Sequence, residues 1–235
     1  MKEVTVIFPA LNEEETIIKV IDEVPVAELE RKGYRVKIVV VDNGSTDRTG
    51  ELASSRDVKV IMEPRRGKGR AIRTAFESVK GDFVFMLDAD FTYPATSIPP
   101  MLALLEGGCD VVLGSRLKGQ MEKGAMRTLN VIGNNLLALM ANTLYRTRIS
   151  DLCTGCWGFR SDVIKTLNLD AVGFDLEANM FIEIAKHGYR IGEVPIQYRK
   201  RKTPSKLSSI QAGYGIGRML IKKRFRTGYH ESNNH

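Results

Sequence analysis

Short apolar runs alternate along this chain with longer stretches in which apolar residues recur every three or four positions. The most continuous run, Phe83, Val84, Phe85, Met86 and Leu87, predicts an interior strand covered on both faces. Runs at 4–8, 36–41 and 58–62 predict strands before it, and 110–113 and 190–194 predict strands after it, with Pro9 and Pro195 read as terminators. Helical spacing fills the intervals. One helix is expected to begin at Glu13 behind a capping Asn12, turn Ile17, Ile18 and Ile21 inward, and stop at Gly33. Others are expected at 71–79, 101–106, 125–145 and 175–186. Strand–helix repeats of this kind predict an α/β fold with a doubly wound, mostly parallel sheet and helices on both faces. In the helix at 125–145, Leu129, Ile132, Leu136, Leu139 and Met140 mark the expected packed side. Arg127, Asn130 and Asn134 share a second stripe, which with Arg116 could line an anion pocket.

The central run stops at Asp88, Ala89, Asp90, so two carboxylates stand where a buried strand reaches water. Strand alternation puts them on one face, a pair able to grip Mg²⁺ or Mn²⁺ whose coordination is completed by a bound diphosphate. The plainer reading is that Asp90 caps the next turn and Asp88 is the polar end of the strand. Asp42 ends the second strand in the same way, and Arg116 follows the strand at 110–113, so both reach the carboxyl edge where open sheets bind ligands. Gly67, Lys68 and Gly69 lack the spacing of a nucleotide-binding P-loop or of a dinucleotide fingerprint. Cys153 and Cys156 form a lone C-x-x-C with no second pair to complete a zinc site, which leaves packing as their role.

Composition narrows the setting. A chain of 235 residues can bury one full core, and its three cysteines suit a reducing compartment. The net charge is +7, with ten basic and no acidic residues between Gln197 and Arg226, and a second cluster of Arg65, Arg66, Lys68, Arg70 and Arg73. Such a field favours an anionic partner: a phosphorylated substrate, a nucleic acid or an anionic membrane surface. No double-strand reading motif is present, which argues against specific nucleic-acid recognition and a non-enzymatic scaffold. No run of 18 apolar residues occurs, so membrane spanning and secretion are unsupported. The tail from Ser208 supplies Ile210, Tyr214, Ile216, Leu220, Ile221 and Phe225 as apolar contacts, and Arg218, Lys222, Lys223, Arg224 and Arg226 as positive ones. It is expected to lie on an anionic leaflet, with a helix starting near Arg218 because Gly213, Gly215 and Gly217 disfavour one earlier; the alternative is packing on the catalytic domain or a partner subunit.

In order along the chain stand FPALNEEETI, VVDNGSTDRT, EPRRGKGRAI, FMLDADFTYP, VVLGSR, the asparagine-rich helix, DLCTGCWGFR, GFDLEANM, EVPIQY and RKTPSKL. Together they make nearly the whole chain resemble the GT-A-fold glycosyltransferases of family 2, most closely the polyprenyl-phosphate (dolichyl-phosphate) sugar transferases. Asn43 in DNGSTD and the form CTGCWGFR look more like the glucosyl or N-acetylhexosaminyl branch, which favours a UDP-sugar over GDP-mannose. The resemblance implies a catalytic domain at 1–207, its donor part about 1–115 and its acceptor part about 116–207, followed by a basic amphipathic segment at 208–235. It further implies an inverting, metal-dependent enzyme of the short type, peripheral on the cytoplasmic face of the membrane.

Carried over by that resemblance, Pro9, Leu11 and Glu13 would flank the nucleoside and Asp42 would accept from its base. Asp88 and Asp90 would hold the cation, Gly67 and Lys68 would close over the nucleotide, and Ser205 and Lys206 belong to a loop that shuts over the donor. Arg116, Arg127 and Arg201 would face the acceptor phosphate. A phosphate acceptor needs little help from a base, whereas an alcohol acceptor needs one, and Asp151 and Glu177 are the carboxylates offered for that role. A small phosphorylated acceptor such as a phosphoglycerate stands as the alternative to polyprenyl phosphate. The oligomeric state is left open.

Overall fold

A computed structural model describes residues 1–173, 175–202 and 209–226 of the chain, with side chains in the last stretch described for 211–225. Its centre is the predicted interior strand, β4 (Phe83–Leu87), all five residues of which are buried. Val84 and Met86 enter one apolar cluster and Phe83, Phe85 and Leu87 the other, so the period-two alternation divides the core into two layers. Around it run β1 (Lys2–Ala10), β2 (Tyr34–Asp42), β3 (Lys59–Met62), β5 (Val111–Met121), β6 (Cys156–Arg160) and β7 (Ile191–Tyr198). Their order in the sheet is β3-β2-β1-β4-β6-β5-β7. Only β6 runs antiparallel to its neighbours, wedged between β4 and β5. The sheet is therefore mostly parallel, as expected, and the carboxyl ends of β1, β2, β4 and β5 share one edge.

Neither proline ends its strand. Pro9 lies inside β1 opposite Val41, beyond the point where β4 stops pairing with β1 at Ile7. Pro195 lies inside β7, the last strand of the sheet, where one row of backbone groups has no neighbour to satisfy. The first helix is also corrected. Asn12 has a φ of 52° and its Oδ1 accepts from Thr46 N at 2.8 Å, so it braces a loop rather than capping a helix. Helices α1 (Ile17–Asp22) and α2 (Val26–Arg31) replace the single long one, divided at Pro25.

Helices α3 (Thr49–Ser54), α4 (Lys68–Ser78), α5 (Ile98–Glu106), α6 (Thr128–Tyr145), α7 (Ser161–Ile164), α8 (Leu176–Lys186) and α9 (Ser209–Arg226) follow. One core layer takes residues from α4, α6, α8 and α9, the other from α1, α2, α3 and α5. The expected packed side of α6 is overturned: Leu129, Ile132, Leu136 and Leu139 are exposed, and Ala138, Ala141 and Tyr145 face the core. Met140 does pack, though only partly buried.

The tail is helical from Ser209, through all three glycines. Gly217 lies against Leu137 and Met140 of α6, where the absence of a side chain lets the two helices approach. Ile216 and Leu220 are buried in the core and Tyr145 donates to the Leu220 carbonyl at 2.9 Å, so these two apolar residues face protein, while Tyr214, Ile221 and Phe225 remain exposed. The side chains of Ile210 and Arg226, and residues 227–235, lie outside the described residues.

Packing of this kind has a measurable consequence. Leu220→Ala removes a fully buried side chain and is expected to cost about 2–5 kcal/mol in denaturant unfolding, while Tyr214→Ala at an exposed position stays within about 0.5 kcal/mol. Equal, small effects for both would place α9 off the body of the protein.

Candidate functional site

Strand β4 ends at Leu87, so Asp88 and Asp90 lie in the turn beyond it and are brought together by that turn rather than by strand alternation. Asp90 Oδ1 accepts from Thr92 N at 3.1 Å and Thr92 Oγ1 at 2.6 Å, and Phe91 takes a φ of 64° to close the bend. Asp90 thus does cap a turn, the plainer of its two expected roles, and its Oδ2 is left for a charged partner. Burial, and then the neighbouring Asp88 charge, raise the Asp90 pKa above the ordinary aspartate value, against the lowering effect of Thr92 and Arg201.

A basic side chain from a different segment meets each carboxylate. Lys68 Nζ lies 2.5 Å from Asp88 Oδ1 and 2.5 Å from Glu177 Oε1 on α8. Burial pulls the Lys68 ammonium down, but the two carboxylates outweigh it and leave its pKa above that of an ordinary lysine; burial likewise raises Glu177, against Lys68. Arg201 places Nε 3.3 Å from Asp90 Oδ2 and Nη2 2.9 Å from Glu13 Oε1. Glu13 is buried, with its backbone N–H donating to Thr49 Oγ1 at 2.8 Å.

Close backbone packing sets these positions. A Cβ on Gly69 would stand 2.1 Å from the Ala171 carbonyl oxygen, and Gly69 N donates to Val172 O at 3.0 Å, so glycine is what lets the start of α4 reach the segment leading to α8. Gly67 has a φ of 135° and its N–H donates to Asn43 Oδ1 at 2.7 Å. Asn43 also donates to the carbonyls of Glu63 and Arg65, tying the end of β2 to the basic loop. A Cβ on Gly155 would stand 2.2 Å from Asp88 Oδ2, so the glycine of DLCTGCWGFR makes room for that carboxylate.

A second cluster lies on the β5 side. Arg116 donates to Asp151 through Nε at 2.7 Å, Nη2 at 2.7 Å and its backbone N–H at 3.0 Å, and Asp151 is fully buried. The Arg116 guanidinium sits 5.3 Å from the Tyr198 ring centre, and Tyr198 packs on Tyr93 at 5.2 Å. Tyr93 in turn accepts from Gly155 N at 2.7 Å, so the two clusters join through Gly155. Neither tyrosine is singled out by sequence pattern, because their proximity depends on β7 lying at the far side of the sheet. Burial pushes the Cys153 and Cys156 thiols up to about 12, so both are held as thiols, in keeping with packing roles.

The remaining predicted residues are less closely joined. Pro9 and Asp42 lie at the carboxyl ends of β1 and β2, with Leu11 just beyond Ala10. Asp42 is buried, accepts from Ser45 N at 2.8 Å, and borders a recess of about 430 Å³ with Asp47, Gly50, Glu51, Ser54, Val60 and Met62. Arg127 is exposed just before α6 and, among the described residues, pairs with none of these groups. Ser205 and Lys206 lie outside the described residues.

Comparison with known proteins gives a family from sequence and a fold from solved structures. The model for glycosyl transferase family 2 matches residues 5–167. The chain is 35% identical over 219 residues to the low-salt glycan biosynthesis hexosyltransferase Agl6 of Haloferax volcanii, covering 92% of this chain and 52% of that protein. It thus spans about half the length of that relative. With the dolichyl-phosphate hexose transferase of the same organism it shares 34% identity over 223 residues, covering 94% of this chain and 93% of the relative. In fold it is similar to glucosyl-3-phosphoglycerate synthase from Mycobacterium tuberculosis, a structure solved with Mn²⁺ and UDP-glucose. The TM-score is 0.71 at 23% identity, covering 94% of this chain and 77% of that one. The mostly parallel seven-stranded sheet with β6 inserted is the GT-A architecture. A family match over most of the chain, on a sheet with a carboxylate-bearing turn at its carboxyl edge, leads to one conclusion: the chain belongs to glycosyl transferase family 2.

Proposed function

We propose that the chain transfers a hexosyl or N-acetylhexosaminyl group from a nucleotide sugar, a UDP-sugar in preference to GDP-mannose, to a polyprenyl or dolichyl phosphate, with inversion at the anomeric carbon. One observation carries the choice of a phosphate acceptor. Both carboxylates that the sequence offers as a base are already committed, Asp151 to Arg116 and Glu177 to Lys68. An alcohol acceptor must lose a proton during attack, whereas a phosphate is already an anion and needs orientation instead. Arg116, Arg127 and Arg201 are the groups proposed to supply it, the Nη1 side of Arg116 being the part of its fork not used on Asp151. The dolichyl-phosphate hexose transferase that shares most of this chain's length supports the lipid form of the acceptor.

The residues at the β4 turn fit a divalent cation. Asp88 and Asp90 offer oxygen ligands only, which suits Mg²⁺ or Mn²⁺, and two protein carboxylates leave positions for diphosphate oxygens. Among the described residues, Asp88 meets Lys68 and Asp90 meets Arg201, so cations already gather at this pair of carboxylates. A cation bound there would stabilise the charge that develops on the departing nucleoside diphosphate. Lys68 and Arg201, already beside the carboxylates, would meet diphosphate oxygens as well. Pro9, Leu11, Glu13 and Asp42 would flank the nucleoside, with the recess beside Asp42 as the opening for its base, and Gly67 would let the chain close over it. Ser205 and Lys206 complete the donor side of the proposal.

A donor panel run with Mn²⁺ or Mg²⁺, with and without short-chain polyprenyl phosphate and with phosphoglycerate as a second acceptor, tests the reading through nucleoside diphosphate release and product mass. Glycosylated polyprenyl phosphate is the expected product; glycosylated phosphoglycerate alone would move the acceptor to a small metabolite. Asp90→Asn is expected to lower cation-stimulated transfer by more than tenfold, or about 1.4 kcal/mol, with the circular dichroism spectrum unchanged. Arg127→Ala should reduce transfer while leaving calorimetric nucleotide affinity intact, and an equal loss in both would put Arg127 on the donor side. Glu177→Gln should weaken nucleotide binding through Lys68 yet keep the parent pH–rate profile. Loss of an ionisation from that profile would make Glu177 a base.

A further inference from the structure

We infer that Arg199 and Glu23 are positioning residues for Asp90, a clamp that fixes from outside the site the turn on which this carboxylate stands. The inference rests on the reading of Asp90 as a cation ligand. The turn is one that needs holding. Phe91, next to Asp90, has a φ of 64°, a left-handed conformation that a bulky side chain keeps only where its surroundings impose it. Thr92 donates twice to Asp90 Oδ1, so the direction of the carboxylate follows the path of the backbone through Phe91 and Thr92.

Arg199, the first residue beyond β7, holds that path in three ways. Its backbone N–H donates to the Thr92 carbonyl at 3.0 Å. Its guanidinium lies 4.3 Å from the centre of the Phe91 ring, which also packs on the core layer containing Ala89 and Tyr93. Its Nη1 donates to Glu23 Oε2 at 3.1 Å while Nη2 pairs with Glu23 Oε1, so one fork grips both oxygens of one carboxylate. Glu23 Oε2 also accepts from Ala95 N at 3.0 Å. The clamp thus takes hold of the turn at Phe91, Thr92 and Ala95 and ties it to Glu23, the residue that closes α1.

Placement separates this pair from an ordinary surface salt bridge. The two side chains are only 20% and 17% exposed. Lys200 N donates to Glu122 Oε2 at 2.9 Å, which fixes the same stretch beside the end of β5, and Arg201 then meets Asp90 Oδ2 at 3.3 Å. In sequence Arg199, Lys200, Arg201 and Lys202 read as one positive run, whereas the structure gives the first arginine the turn and the second the carboxylate. A cation ligand keeps its geometry through groups that never touch the ion, and losing one typically costs about 10- to 100-fold in affinity. The sign of the effect is diagnostic. Removing the Arg199 charge would by itself favour a nearby cation, so weaker cation coupling in its absence reports lost positioning rather than lost charge.

The test is calorimetric binding of UDP, with GDP in parallel, to the full chain in Mn²⁺ and in EDTA, below the melting midpoint of every variant. The readout is the gain in affinity that Mn²⁺ brings, which a clamp serving stability alone leaves unchanged while the protein is folded. Arg199→Met is expected to lower that gain about tenfold and to leave the affinity in EDTA within about twofold of the parent. Glu23→Gln, which keeps the shape of the side chain, should lower the gain about threefold or more, and carries the test if Arg199→Met does not fold. Asp90→Asn should abolish the gain. If it does not, or if the parent shows no gain, the cation reading of Asp90 fails and the inference with it. If Asp90→Asn abolishes the gain and either folded clamp variant keeps it within about twofold of the parent, the clamp alone is overturned. An equal loss in Mn²⁺ and in EDTA also overturns it, by making Arg199 a nucleotide contact.

Discussion

The Lys68 ammonium, enclosed between Asp88 and Glu177, is the contact on which the site depends. It joins the β4 turn to α8, and so the carboxylates of the central strand to the segment on which α4 is seated. Drawing a lysine largely out of water is costly unless its charge is met, and here two carboxylates meet it. Removing either one leaves the other sharing a cation with less to hold it in place. The glycines on either side of Lys68 follow from this geometry: Gly69 lets α4 approach the backbone at Ala171 and Val172, and Gly67 takes the left-handed conformation that starts the helix there. What looks in sequence like a weak phosphate-loop motif is in the structure a means of delivering one amine to two acids.

Much of this was legible in the chain, and what was not failed for physical reasons. The interior strand could be read because burial on both faces leaves no polar position in 83–87, and its end was marked by Asp88. Pro9 and Pro195 misled because proline breaks a strand only where its missing N–H would have been paired. Asn12 was misread because Asn suits both a helix cap and a left-handed loop position, and the choice was made by Ser45 and Thr46, far along the chain. Strand β6 was hidden in a segment rich in turn formers, since Gly158 in its centre reads as a breaker; its role is to leave space for the Phe85 ring. The candidate carboxylates and arginines could be named from motifs, but their pairing could not. Glu177 and Asp151 look like available bases until Lys68 and Arg116 are seen beside them.

The α6 helix shows why an apolar stripe does not by itself identify the inward side. Its core face is built from Ala138, Ala141 and Tyr145, two of them small, so that the helix can sit close to the layer below, while its larger aliphatics point away. A hydrophobic pattern measures the size and placement of side chains, and a helix with apolar residues on two sides satisfies the pattern for either. Only the packing of α8 and α9 decides which side is enclosed. The same packing puts Ile216 and Leu220 in the core, away from the lipid-facing role expected of them.

A lipid acceptor of the kind proposed would constrain how the site is reached. A polyprenyl phosphate keeps its chain in the leaflet, because each methylene drawn into water costs about 0.8 kcal/mol, and its phosphate therefore stays near the headgroup plane. With such an acceptor, the reactive edge of the protein would have to reach down to the lipid. Strand β5 carries Arg116 at that edge and leads, through the short connection bearing Arg127, directly into α6. The donor network around Lys68, Asp88, Asp90 and Arg201 would then stand across Gly155, Tyr93 and Tyr198 from the acceptor arginine. The two sides differ in how charge is held: Arg116 is fixed on one buried carboxylate, Asp151, whereas Lys68 and Arg201 each bridge two carboxylates drawn from different segments.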